Sequence, residues 1–464
     1  MLTKSVLKEL RNIVGAEHLK TAPEELTLYG YDATPQAPLA MPDAVVFPAA
    51  TPEIAEILKL ANAQHFPVIP RGAGTNLTGG ARAIHGGVII STQRLNRILM
   101  IDEQNLQAIV QPGVVTCDLQ EQAAKLGLFY PPDPQSKDTC TLGGNLAENA
   151  GGPRAVKYGV TRQYVLALEV VLPQGQIVRL GARTLKSVAG YDLVSLLVGS
   201  EGTLGVITEA TLRLIPAPEA RKTLLVVFDK LEAAATAIGA IIRAKVVPAA
   251  IEFIDHETIR CVEEYQPVGL PTDAAAVLVI EVDGAPSEIE RAARRVDEIV
   301  RAYGARSVRI GADEQEAELL WKARSVAGPA LARIAPHKIN EDIVVPIARL
   351  PEAIVGVHDL ATRHRVACAC FGHAGDGNIH VNFLIHPNDA DERRRVEFAV
   401  RETFELAVAL QGSITGEHGV GTTKQPYLGL ELSAVALEAM RRVKVALDPD
   451  DILNPGKIFP KPGV

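Results

Sequence analysis

Apolar residues at Val6, Leu7, Leu10, Ile13 and Val14 recur at the spacing of a helix with one buried stripe, and they predict an amphipathic helix over 3–15. Irregular, Pro-rich chain follows over 33–43. DAVVFPA (43–49) predicts a short strand. TPEIAEILKLANAQ (51–64) predicts a helix, with Thr51 as N-cap, Pro52 at the first helical position and Glu53 in the first turn. FPVIPRG then predicts a strand running into a loop, so these segments form one βαβ unit. Beyond it the pattern changes: GGVIIST, LQAIVQPG, ALEVVLPQGQIVRL and GVITEATLRLI are short β-rich runs separated by Gly and Asn turns. Composition shifts near 216–222. Strands TLLVVF, AAIEFI and AVLVIEV then alternate with helices KLEAAATAIGAIIRA and SEIERAARRVDEIVRAYG, and helices around 391–411 and 433–446 close the chain. Strand-rich blocks beside helical ones indicate an α+β fold rather than an extended doubly wound sheet.

At 464 residues the chain has room for about three domains or subdomains. Its 22% charged residues and net charge of −8 describe an ordinary, mildly acidic globular protein, so nucleic acid is not an expected partner. The N-terminus lacks the apolar core of a signal peptide, and no apolar run is long enough to span a membrane. Five cysteines, with no CxxC pair, read as reduced thiols of a cytoplasmic protein and are too poorly spaced to hold an iron–sulfur cluster. Any membrane association is therefore expected through a partner.

The glycines carry the first chemical signal. PRGAGTNLTGG (70–80) follows a strand and has glycines at 72, 74, 79 and 80, with Thr75, Asn76 and Thr78 between them. Such a loop lets successive backbone N–H groups converge on an anion, a diphosphate above all. It is neither a P-loop nor a Rossmann fingerprint, because no Gly-Lys-Ser/Thr and no helix follows. PPDPQSKDTCTLGGNLAENAGG (131–152) and GSEGTLGVIT (199–208) repeat the logic, which suggests one long ligand crossing the first domain.

The second signal is FGHAGDGNIHVNFLIH (371–386). His373 and His380 are seven apart, but Gly375 and Gly377 break the strand and allow both imidazoles to meet. GSITGEHGVG (412–421) sets Glu417 and His418 side by side between glycines. Two imidazoles and a carboxylate suit a divalent metal with open positions, leaving His418 as a base. Each segment alone reads equally well as a satisfied loop. Cys368 and Cys370 read as buried strand residues rather than added ligands to that metal, His386 as a surface residue, and Trp321 as core.

These segments, with KSVAGYDL (186–193), resemble the flavin-binding domain of the vanillyl-alcohol-oxidase-type FAD superfamily. Over roughly 40–460 the chain resembles its D-2-hydroxyacid dehydrogenase branch, which includes the FAD subunit of bacterial glycolate oxidase, D-lactate dehydrogenases and D-2-hydroxyglutarate dehydrogenases. The resemblance implies an FAD-binding domain of two subdomains over 1–217. It implies a substrate or cap domain with an antiparallel sheet over 218–410, and a segment, 411–464, that returns to the FAD domain. It assigns the flavin to Pro70, Arg71, Gly72, Ala73, Gly74, Thr75, Asn76, Gly79 and Gly80 of the first loop. Pro112, Pro134, Asp138, Thr141, Gly144, Asn145, Gly151 and Gly152 follow, then Glu201, Gly202, Gly205 and Ile207, and last Asn454 of the closing LNPGK motif. Since 70–80 contains no histidine, the FAD is expected to be non-covalent.

By the same resemblance His373, His380 and Glu417 bind the metal (Zn, Fe or Mn), and His418 is the general base. Arg324 of LLWKARSVAG pairs with the substrate carboxylate, and Lys338 and Asn382 are further substrate candidates. The implied reaction oxidises a small D-2-hydroxy acid, D-lactate or glycolate, to the 2-oxo acid. Electrons would pass to an iron–sulfur subunit, an electron-transfer flavoprotein, a cytochrome or a quinone system. A D-2-hydroxyglutarate-type substrate, a flavin-dependent synthase and an electron-transfer subunit are the alternatives.

Overall fold

The computed structural model describes residues 2–460 apart from 36, 312 and 387. It divides into two compact units. One comprises Met1–Ala150, Val160–Ala217 and Glu417–Val464, the other Gly151–Gly159 and Pro218–Gly416.

The first unit begins with the amphipathic helix, Lys4–Val14, which the Thr3 hydroxyl caps by accepting from Val6 N–H and which buries Val6, Leu10 and Val14. β1 (Leu19–Lys20), β2 (Ala44–Val46), β3 (Val68–Arg71) and β4 (Val88–Ser91) form a sheet in the order β1-β2-β4-β3, with β4 parallel to both β2 and β3. The connecting helix is Thr51–Gln64. Its cap is Ala50, one residue before the Thr51 expected from sequence. Thr51 Oγ1 donates instead to Glu169, and the Glu53 carboxylate accepts Ala49 N–H at 2.8 Å, so an acid in the first turn satisfies the entering backbone. Ile54, Ile57 and Leu58 are fully buried against this sheet, each contributing about 1.5–3 kcal/mol by burial.

β5 (Ile98–Asp102) and β6 (Gln107–Val110) open a second, antiparallel sheet, and β7 (Leu128–Phe129) lies apart from it. β8 (Val165–Val171), β9 (Ile177–Gly181) and β10 (Val206–Arg213) complete that sheet in the order β5-β6-β10-β8-β9. β11 (Ile215–Pro216) pairs with β7. The closing helix, Ala434–Leu447, is capped by Ser433.

The second unit is built on seven antiparallel strands: β12 (Ala220–Phe228), β13 (Ala250–Asp255), β14 (Ala276–Gly284), β15 (Ala305–Ile310), β16 (His337–Val344), β17 (Ala367–His373) and β18 (Asn378–Ile385). Their order is β15-β12-β14-β13-β17-β18-β16. Alternation assigns the two faces. Leu225, Val227, Ile254, Val277, Val279, Ala369 and Phe371 cluster with helices His256–Tyr265, Glu314–Ser325 and Ala327–Ala330. Helices Leu231–Arg243, Pro286–Ala302, Leu350–His364 and Ala390–Ala409 also belong to this unit.

The division differs from the sequence boundaries at two places. Residues 151–159 belong to the second unit, because Lys157 pairs with Asp283 of β14 and Tyr158 Oη donates to the same carboxylate at 2.6 Å. The return to the first unit comes at Glu417, not at 411. The residues before it run beside β16, with Ser413 bridged to Val344.

Candidate active site

In the first unit, β3 delivers the chain into the glycine loop. A Cβ on Gly72 would lie 2.3 Å from Thr141 Oγ1, so the loop and the start of helix Leu142–Glu148 meet only because residue 72 has no side chain. The Thr141 hydroxyl is buried and makes no hydrogen bond among the described residues. An unspent donor between a glycine-rich loop and a helix start fits a phosphoryl oxygen, so this cradle suits the diphosphate of a dinucleotide. Gly74 and Gly79 adopt positive φ, and Asn76 Nδ2 donates to Asp32 at 2.7 Å. Arg71 is buried with its guanidinium 5.6 Å over the Tyr29 ring. Ala73 and Asp138 are exposed, and Thr75 and Pro134 half-buried.

Several residues assigned to the flavin are also committed to the protein itself. Asn145 Nδ2 donates to Thr116 Oγ1 at 2.7 Å, and Pro112 accepts Gly143 N–H. The buried Glu201 carboxylate accepts Val420 and Gly421 N–H at 2.8 and 2.7 Å, while burial raises its pKa. A Cβ on Gly205 would press on Val170, and Gly202, at positive φ, packs on Pro70. Ile207 lies on β10, partly buried in that sheet's core. Asn454 Nδ2 spans Gly80 O and Glu201 O at 2.9 and 2.8 Å, tying the closing segment to the first and third loops. Gly151 and Gly152 fall in the second unit.

His418 sits on the segment that Glu201 holds. Its carbonyl accepts Thr78 Oγ1 at 3.1 Å, which places the histidine backbone on the first glycine loop. Gly419 and Gly421 have positive φ, and a Cβ on either would lie 2.2 Å from Glu148 Oε2 or 2.1 Å from Thr78 O. The spacing of the GEHGVG motif is therefore a packing requirement.

In the second unit, β17 and β18 form a hairpin whose turn, 374–377, contains both expected glycines. A Cβ on Gly377, at φ +88°, would lie 2.0 Å from Val345 O. The hairpin brings His373 and His380 together: ring centroids are 5.1 Å apart and the planes nearly perpendicular. Both are buried. His373 Nδ1 is 2.8 Å from Glu252 Oε1 and donates to it, which makes Nε2 the nitrogen that carries the ring's lone pair. That tautomer, with a second imidazole beside it, fits a divalent cation.

Glu252 was not among the residues singled out from sequence. It is fully buried on β13, opposite His373 in the strand register, and its other oxygen accepts Arg324 Nε. Its only signal was a lone acid inside the apolar run AAIEFI. Arg324 is buried, with its guanidinium 4.6 Å over the Phe371 ring. Lys338, whose pKa burial lowers, donates to Gly328 O at 3.0 Å. Asn382 is buried; its amide nitrogen reaches Ala369 O and its oxygen accepts Asn340 Nδ2 at 2.7 Å. Register places Lys338, Asn340, Asp342, His380, Asn382, Phe371, His373 and Glu252 on one face of the sheet. Asp342 is opposite His380 and accepts Gly416 N–H at 2.8 Å, one residue before Glu417. Trp321 packs on the core and donates to Glu281 at 2.9 Å, Cys368 and Cys370 are buried on β17, and His386 is exposed.

The chain can now be set beside known proteins. Residues 42–181 match the FAD binding domain family, and 217–458 the family described as FAD linked oxidases, C-terminal domain. Glycolate oxidase subunit GlcD of Bacillus subtilis (strain 168) is 47% identical over 461 residues, 99% of this chain and 98% of that protein. D-lactate dehydrogenase of Anaerostipes hadrus is 38% identical over 445 residues, 94% of this chain and 91% of that protein. A solved structure of p-cresol methylhydroxylase with substrate bound aligns with a TM-score of 0.84 at 16% identity, covering 99% and 98% of the two chains. The fold is thus of the vanillyl-alcohol-oxidase type, an FAD-binding domain followed by a domain with a large antiparallel sheet, and the protein is an FAD-linked oxidoreductase. The chain belongs to the FAD-linked oxidase family of glycolate oxidase GlcD subunits and D-lactate dehydrogenases.

Proposed function

We propose that the protein oxidises a small D-2-hydroxy acid, D-lactate or glycolate, to the 2-oxo acid. The observation that carries this reading is the buried His373–His380 pair, with His373 oriented by Glu252, on the sheet face that also presents Lys338 and, through Glu252, Arg324. When bound, FAD would supply the hydride acceptor; His373, His380 and Glu417 would hold a divalent cation, whose chemistry there would be to lower the pKa of the substrate hydroxyl.

His418 takes the hydroxyl proton, a task an imidazole performs near neutral pH. Its carbonyl bond to Thr78 keeps the base on the flavin loop. Arg324 has its Nε committed to Glu252, so its terminal nitrogens are the edge it offers a carboxylate. Lys338 completes the clamp: a substrate anion would compensate the burial that now lowers its pKa. Together they would fix the substrate carboxylate. Electrons then pass to a partner, as the word "subunit" in the name of the Bacillus relative supports. None of the described helices is long and apolar enough to cross a membrane.

Steady-state turnover with dye as acceptor tests the roles. His418→Ala should retain FAD and lose about 10²–10⁴-fold in kcat, and Glu417→Ala should also keep FAD while losing turnover. Rates like the unmodified protein's in either variant would remove that residue from the mechanism.

A further inference from the structure

β17 presents chemistry on both of its faces. His373 and Phe371 point one way, Cys368 and Cys370 the other. On the cysteine side, Asp255, His358 and Cys370 converge: one donor atom from each lies within 4.8 Å of the other two. We propose that Asp255, His358 and Cys370 form a second metal site, separate from the His373–His380 pair, for a divalent cation of the zinc class.

Four features argue for it. His358 Nε2 lies 3.4 Å from Asp255 Oδ2, the separation that bonds of about 2.0–2.2 Å subtend at a tetrahedral centre. That spacing is long for an N–H···O hydrogen bond, and the buried Nε2 makes none. Asp255 is itself held: Oδ1 accepts Thr258 N–H and hydroxyl at 2.9 and 2.6 Å, and Oδ2 accepts Cys370 N–H at 2.7 Å. Oxygen, nitrogen and sulfur donors in one place are the mixed set that zinc accepts and that calcium or magnesium does not.

Cys368 Sγ, 3.7 Å from Cys370 Sγ, stays outside the ligand set. The site would fasten helix Leu350–His364 to β13 and β17, bracing the strand that ends at His373.

Cobalt separates this site from the other, which has no sulfur donor. The flavin-loaded protein, stripped with chelator and titrated with Co²⁺ alone, should develop a near-ultraviolet thiolate-to-cobalt band in difference spectra. The band should persist in His380→Ala and Cys368→Ser and vanish in Cys370→Ser. In His358→Gln the Co²⁺ affinity should fall at least ~10-fold. Circular dichroism and melting confirm that each variant is folded. Absence of the band in folded, stripped protein would overturn the proposal, as would a band unchanged in Cys370→Ser.

Discussion

Glu252 joins the parts of the candidate site to one another. One carboxylate, with no exposed surface, fixes the tautomer of His373 and anchors the Nε of Arg324. A buried charge in such a place is stable only while its partners remain, and removing one partner of a buried pair costs about 3–5 kcal/mol. The glutamine isostere keeps the shape and an acceptor for His373 but gives up the charge that holds Arg324. Glu252→Gln should therefore fold, bind FAD and lose about 10–100-fold in kcat/KM, the usual cost of losing an outer partner of a ligand or clamp. Kinetics with the preferred hydroxy acid checks this, and a value within twofold of the unmodified protein would make Glu252 a core residue only.

Among the elements, the closing segment has a measurable electrostatic signature. Lys457 is buried, donates to Arg82 O at 2.7 Å and Asn454 Oδ1 at 3.0 Å, and is pushed down to about 8, chiefly by burial. Between 8 and the ordinary 10.5 the unfolded chain binds more protons than the folded one. Stability must therefore rise with pH across that window, by at most about 3 kcal/mol from this group. The urea midpoint should climb from pH 8 to pH 10 more steeply in the native chain than in Lys457→Met, and equal slopes would contradict the assignment. Helices Lys4–Val14 and Ala434–Leu447 were legible in sequence to within a residue or two, because periodicity and capping act locally. The His373–His380 meeting was legible for the same reason, since two glycines between them imply a turn. The strand order of the seven-stranded sheet was not, because it rests on long-range pairing. Nor was the transfer of 151–159, which depends on Asp283 more than a hundred residues away, or the role of Glu252, 121 residues from His373.

At the scale of the whole molecule, each unit carries half of the chemistry. The first has the glycine cradle, the orphan Thr141 hydroxyl and the segment bearing His418; the second has the imidazole pair and its cationic neighbours. Family membership establishes a flavin-linked oxidoreductase. The most direct measurement is an anaerobic one: the visible spectrum of the purified protein during titration with D-lactate, L-lactate, glycolate and D-2-hydroxyglutarate. The account predicts that D-lactate or glycolate bleaches the oxidised flavin band, that L-lactate does not, and that a chelator blocks the change until metal is restored. A yellow protein that none of these acids bleaches, or one that bleaches equally well after complete removal of metal, would contradict it.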